Sequence, residues 1–175
     1  MNARAERRTD VTIRPAVARD LPAIMDLIAE LDRLQEDWRV FPSRPSLREE
    51  TLGRYQRAIR DQAGNDVLMV AEALGTVVGS AFGHVLVPST VSDEPAMELS
   101  GVVVLPTHRR RGIAGALTET IARFAHERGI RMLTLKTFAQ NEPALRFWER
   151  LGFSHRMVQL VAPADREARR SSPLA

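Results

Sequence analysis

Residues 102–115 read Val102-Val-Val-Leu-Pro-Thr-His-Arg-Arg-Arg-Gly-Ile-Ala-Gly115. The apolar, β-branched start suits a buried strand, and beyond the basic turn Ile113, Leu117, Ile121 and Phe124 recur at helical spacing. A strand therefore passes into a helix across Arg109, Arg110 and Arg111. A helix N-terminus carries roughly half a positive charge and several unpaired N–H groups, so cations are disfavoured there unless an anion joins them. Gly112 and Ala114 add little or no side-chain bulk, as a backbone wrapped around a pyrophosphate requires. The spacing Arg109-x-x-Gly112-x-Ala114 is neither the Gly-x-Gly-x-x-Gly dinucleotide turn nor the Gly-x4-Gly-Lys-Ser/Thr loop. Taken alone, the three arginines also fit a solvated basic turn or a nucleic-acid patch.

The rest of the chain narrows these readings. Its 175 residues suffice for one well-buried core and are short for two domains. With 44% hydrophobic and 27% charged residues the composition is that of an ordinary globular protein. The pI of about 10.4 accompanies a net charge of only +3, and Lys136 is the sole lysine among 25 basic residues. The high pI thus reflects the basicity of arginine, and no nucleic-acid partner is expected. The absence of cysteine excludes a disulfide framework, a thiolate nucleophile and a Cys-ligated zinc. His84, His108, His126 and His155 lack metal-motif spacing, so no metal is expected. Residues 1–10 are charged and lack the apolar core of a signal peptide, and no apolar run is long enough to span a bilayer. These features predict a cytoplasmic protein without a membrane partner.

Along the chain, Val11-Thr-Ile-Arg-Pro15 reads as a strand, and Asp20-Leu-Pro22 opens a helix with Asp20 as N-cap and Ile24, Leu27, Ile28 and Leu31 as its apolar stripe. A second helix is expected over residues 47–62, after an irregular connection holding Trp38 and Phe41. Two strands, 67–74 and 77–87, join in a hairpin at Gly75-Thr76, and a polar loop covers 88–95. A strand over 97–105 leads into the basic turn and its helix, which stops near Arg128-Gly129. Residues 132–138 form the next strand, Asn141 caps a helix with Pro143 in its first turn, and 153–161 form a last strand. The expected division is a loose tail at 1–10, one domain at 11–162 and a second loose tail at 163–175.

This order of elements resembles the GNAT superfamily of acetyl-CoA-dependent N-acetyltransferases over nearly the whole chain. The likeness is carried by Ile13-Arg-Pro15 with Asp20-Leu21, by Val104-x-Pro106-x-x-Arg109-x-x-Gly112-x-Ala114, and by Asn141-x-x-Ala144 followed by Leu151-Gly-Phe153. The family's last signature glycine is Ala114 here. The resemblance implies a single-domain α/β (α+β) fold. Its central mixed, mostly antiparallel sheet would have six to seven strands flanked by about four helices, splayed between the signature strand and the one that follows. It also implies acetyl-CoA as cosubstrate. The amides of Arg109, Arg110, Arg111, Gly112, Ile113 and Ala114 would cradle its pyrophosphate, Val102, Val103 and Val104 would face the pantetheine, and Asn141 would help hold the arm.

The implied reaction is attack of a neutral primary amine on the thioester in a ternary complex. Stripping a proton from a lysine-like amine at pH 7 costs about 4.6 kcal/mol, so a general base is valuable. Glu98 lies six residues before Val104, where some family members keep a catalytic glutamate, and strand alternation predicts that residues 98, 100, 102 and 104 share one face. The bland alternative is a surface glutamate near the start of a strand. Ser100 is a weaker, water-orienting candidate. A tyrosine seven residues after the Asn protonates the departing thiolate in much of the family, but here that position is Trp148, whose indole is not a practical acid. A thiol of pKa about 8.5 leaves at a cost near 2 kcal/mol at pH 7, so loss of the acid is tolerable. Tyr55, His84 or an ordered water are substitutes, but a lone Tyr or His is more often structural. By the same resemblance the acceptor, a small-molecule amine or a protein amino group, would bind near Glu36, Asp37, Asp93 and Glu94, against Trp38 and Phe41. A homodimer is compatible with this reading. The competing function is a non-catalytic acyl-CoA-binding module that retains the turn.

Overall fold

The structure is a computed structural model and describes residues 11–39, 44–61, 64–86, 94–162 and 164. The expected tails lie outside these residues, Ala164 apart. The elements in chain order are β1 (Val11–Pro15), α1 (Leu21–Leu34), α2 (Pro45–Arg60), β2 (Asp66–Ala73), β3 (Thr76–Leu86), β4 (Ala96–Val104), α3 (Ile113–Glu127), β5 (Met132–Leu135) and α4 (Glu142–Arg150). The strands lie side by side in chain order. Neighbours are antiparallel except β4 and β5, which the α3 crossover makes parallel.

Each face of the sheet buries against its own helices. Val67, Met69 and Ala71 of β2 and Met97 and Leu99 of β4 pack on Ile113, Leu117 and Ile121 of α3, with Trp148 of α4 and Phe153 at the rim. The opposite face sets Leu68, Val70 and Phe82 against Ile24 and Met25 of α1 and Tyr55 and Ala58 of α2. Each of the larger fully buried side chains contributes about 1.5–3 kcal/mol, so α3 and the α1–α2 pair are both strongly held.

Two local expectations are corrected at the β1–α1 and β2–β3 junctions. Asp20 stands at the N-cap of α1 but makes no side-chain cap. Its carboxylate instead accepts from Arg14 Nη1 at 2.7 Å, Arg14 Nη2 at 3.0 Å and the Val17 amide at 2.9 Å. The Arg14 guanidinium holds the Asp20 carboxyl below the usual carboxylate range, a buried ion pair outcompeting the cap. Arg14 also donates from Nε to Glu72 at 2.9 Å, tying β1 to β2. The β2–β3 hairpin turns at Leu74-Gly75, one residue earlier than expected. Both residues have positive φ, 50° and 76°, as a two-residue type I′ turn needs. Thr76 already pairs with Ala73.

The expected common face for residues 98, 100, 102 and 104 does not form. Glu98 and Ser100 lie opposite His84 and Phe82 and thus share the α1–α2 face, whereas Val102 and Val104 pack toward α3. The cause is a bulge: the β3–β4 register shifts between Ser80 and Phe82, and Gly101 adopts φ 56°. An extra residue reverses the alternation beyond it. The buried Ser80 hydroxyl donates to the Gly101 carbonyl at 3.4 Å, bracing the bulge.

The sheet has five strands among the described residues, not six to seven. Residues 153–161 carry no strand, and Met157, Val158 and Leu160 are exposed. Their apolar alternation suggested a strand, but no described layer covers them, and alternation without a paired edge and a layer to bury against does not hold a strand in place.

A Cβ at Gly101 would lie 2.7 Å from Tyr55 Oη and 3.0 Å from Ile28 Cδ1, on a backbone L-residues rarely adopt. Gly101→Ala should therefore destabilise the fold by about 2–3 kcal/mol, read as a lowered urea midpoint at unchanged slope. A midpoint equal to that of the parent would show that neither the contact nor the φ constrains this site.

Candidate active site

Beyond Val104 the chain makes one 3-10 turn at Pro106–His108 before α3 begins at Ile113. Gly112 is the N-cap of α3 with φ 80°, and Arg110 also has positive φ, 63°. The first bond closing the helix runs from the Ala116 amide to the Gly112 carbonyl at 3.0 Å. The amides of Gly112, Ile113 and Ala114 thus precede the i→i−4 ladder and point out of the helix end. A Cβ added at Gly112 would meet no protein atom within 4 Å, so the backbone angle and not internal packing selects glycine. Two of the arginines hold the junction itself. Arg109 Nε donates to the Val104 carbonyl at 3.0 Å, and Arg111 Nη2 donates to the Thr107 carbonyl at 3.2 Å. Arg109 and Arg111 are thereby folded back onto the main chain that leads into α3.

β4 and β5 part at a defined point. Their pairing runs from Ala96 with Met132 to Leu99 with Leu135 and stops there. From Ser100 to Val104 the edge of β4 that faces β5 has no strand partner among the described residues. Like any strand edge it presents main-chain N–H and C=O groups, while Val102 and Val104 turn their side chains toward α3. A ligand with its own amides could pair with it as a strand would. Asn141 is the N-cap of α4, its Oδ1 accepting from the Ala144 amide at 3.2 Å. Trp148 is half-buried, with ring centroids 4.7 Å from Phe147 and 5.3 Å from Phe153, a packing role in an aromatic group.

A polar row crosses the sheet on the α1–α2 face. Asp66, His84, Glu98 and Thr134 are successive cross-strand neighbours on β2, β3, β4 and β5. His84 Nδ1 lies 2.6 Å from Asp66 Oδ1. Glu98 Oε2 lies 3.0 Å from Lys136 Nζ, the carboxylate side chain being 22% exposed and the lysine 86%. Glu98 is therefore a partly shielded anion already holding an ammonium, not a fully solvated surface acid. Tyr55 is 3% exposed, and burial pushes its phenol up to about 12, which makes it a poor proton donor. Trp38 meets Phe138 at 6.1 Å between centroids, so the α1–α2 connection reaches the segment just beyond β5. Glu36 and Asp37 are exposed beside Trp38, and Glu94 is exposed at the start of β4. Asp93 and Phe41 lie outside the described residues.

Sequence reasoning overlooked Lys136 and Asp66. Lys136 could have been found as the sole lysine at the end of a strand, whereas Asp66 is brought to His84 only by the β2–β3 register.

The chain belongs to the acetyltransferase (GNAT) family, whose model matches residues 29–153. Over 88 residues it is 35% identical to Probable N-acetyltransferase family 8 member 5 of Mus musculus, an alignment covering 48% of this chain and 37% of that protein. The chain spans about two-fifths of the length of the curated relatives it matches. The crystal structure of a predicted acetyltransferase with acetyl-CoA from Clostridium acetobutylicum shares its fold, with a TM-score of 0.66 at 17% identity, covering 87% of this chain and 96% of that one. Glucosamine-6-phosphate N-acetyltransferase from Arabidopsis thaliana gives a TM-score of 0.65 at 18% identity over 89% and 99% of the two chains.

Gly112→Val should lower coenzyme A affinity at least about tenfold by isothermal titration while costing about 1–3 kcal/mol of stability, since only the backbone angle resists it. Parent-like affinity in the folded variant would remove the α3 N-terminus from the pyrophosphate site.

Proposed function

We propose that this chain is an acetyl-CoA-dependent N-acetyltransferase acting on a primary amine by direct attack in a ternary complex. The observation that carries this reading is the edge of β4 that has no strand partner among the described residues, which runs from Ser100, where β4 and β5 part, to Val104, before the turn into α3. The residues present fit the donor. The outward amides of Gly112, Ile113 and Ala114 would receive a pyrophosphate, the main chain of Val102, Val103 and Val104 would pair with the amide-bearing arm, and Asn141, the N-cap of α4, would help hold that arm. Acetyl-CoA, when bound, supplies the activated acetyl group.

The chain's own chemistry then centres on Glu98. Its carboxylate already accepts an ammonium from Lys136, and an acceptor amine brought to the same oxygen gives up its proton there. Trp148 and Tyr55 are unsuited to protonate a departing thiolate, so a thiol of ordinary acidity leaves without a dedicated donor, at a cost of about 2 kcal/mol at pH 7. A small-molecule amine is the favoured acceptor. The half-buried Trp38 and Phe138 provide an apolar wall, the exposed Glu36 and Asp37 attract a cation, and one structural neighbour is an acetyltransferase of an amino sugar phosphate. A cytoplasmic location belongs to the same reading; among the described residues no helix is long and apolar enough to cross a membrane.

Coenzyme A at about one hundred times its dissociation constant should stabilise the protein by about 2.7 kcal/mol, read as a raised melting temperature. No shift with coenzyme A or acetyl-CoA would overturn the reading. Thiol release across an amine panel separates the enzyme from the acyl-CoA-binding module that Trp148 in the tyrosine position also suits. With a responsive amine, Glu98→Gln should lower kcat/KM by about a hundredfold and alter its pH profile. An unchanged profile would take Glu98 out of the mechanism.

A further inference from the structure

Lys136 has no structural duty that arginine, used for the other basic residues, would not serve. Its side chain is 86% exposed, so it fills no core, and its ion pair with Glu98 is open to solvent. Its position is nevertheless specific. It directly follows Leu135, the last β5 residue paired with β4, and so stands where the two strands part. Its Nζ lies 3.0 Å from Glu98 Oε2, the place an acceptor ammonium would take on that carboxylate.

We propose that Lys136 is a self-acetylation site of this chain, with acetyl-CoA as donor and Glu98 as base; this rests on the acetyltransferase reading above. The protonated Nζ gives one proton to Glu98, and its freed lone pair forms the bond to the acetyl carbonyl carbon. The carbon–sulfur bond breaks with its electron pair leaving on sulfur, and the second proton lost by nitrogen neutralises that thiolate. The products are acetyl-Lys136 and coenzyme A thiol, with one proton passed through Glu98 to solvent. An exposed four-carbon stem lets Nζ move between Glu98 and the parting of the strands without disturbing the core. Acetylation removes the lysine charge, and the acetylated side chain no longer ion-pairs with Glu98. The carboxylate is then open to an external amine. The unmodified lysine is thus an internal competitor for the acceptor place, and its modification releases it.

The full chain incubated with isotopically labelled acetyl-CoA and analysed by intact mass and peptide mapping tests this. The expected result is one labelled acetyl group on Lys136, at a rate independent of protein concentration. Labelling should be absent from that peptide in Lys136→Arg, slowed at least about tenfold in Glu98→Gln, and reduced to chemical background in the urea-unfolded chain. An unlabelled Lys136 in protein that coenzyme A stabilises overturns the proposal, as does equal labelling in Glu98→Gln or in the unfolded chain. Failure of the underlying reading gives a different pattern, no thermal shift with coenzyme A and no turnover of any amine. Turnover of amines with Lys136 unmodified removes only the self-acetylation.

Discussion

The left-handed backbone at Gly101 is the constraint on which the rest depends. Without the extra residue it accommodates, β4 could not place Met97 and Leu99 and then Val104 against α3. The reversal also coincides with the parting of β4 from β5, because a bulged strand bends and twists more strongly than its neighbour. Ser80 on β3 and Tyr55 on α2 hem in the same residue from two sides. A packing requirement of the core and an opening in the sheet thus arise from one backbone angle.

That opening joins two features of opposite character. At one end the turn into α3 presents amides that no helical bond satisfies, with Arg109 and Arg111 folded back onto carbonyls of the same junction. At the other end Glu98 belongs to a polar row that runs from Asp66 and His84 to Lys136, crossing the sheet on the face away from α3. A donor laid along β4 would place its anionic groups at the positive end of a helix and its reactive end near the acid. The electrostatic gradient is set by the order of elements and needs no surplus of basic side chains.

Much of the architecture was legible in the amino-acid sequence, because long periodic segments and their caps are local. The strand, turn and helix around Gly112, the Asn141 cap with Pro143 behind it, and the stop at Gly129 all appear where the pattern puts them. Features decided by partners distant in sequence were not legible. Asp20 looked like a helix cap and is held by Arg14, a competition that local propensity does not register. Residues 153–161 alternate like a strand and find no covering layer. The face of Glu98 was misassigned relative to Val102 and Val104, although a lone glycine inside an apolar run was a visible sign of a bulge. Of the site, the turn could be read directly. The Asp66–His84 contact needed the register of β2 on β3, and the Lys136–Glu98 pair needed the end point of the β4–β5 ladder.

The contact between Trp38 and Phe138 joins the α1–α2 connection to the chain just after β5. On the proposed function, donor and acceptor sides would be written in different materials, one in main-chain geometry and the other in side chains borne on connecting segments. A scaffold divided in this way can diversify. On that reading, substitutions among residues 36–38 would alter the acceptor side without disturbing the strand edge or the helix end, so a change of acceptor would not unsettle the donor side.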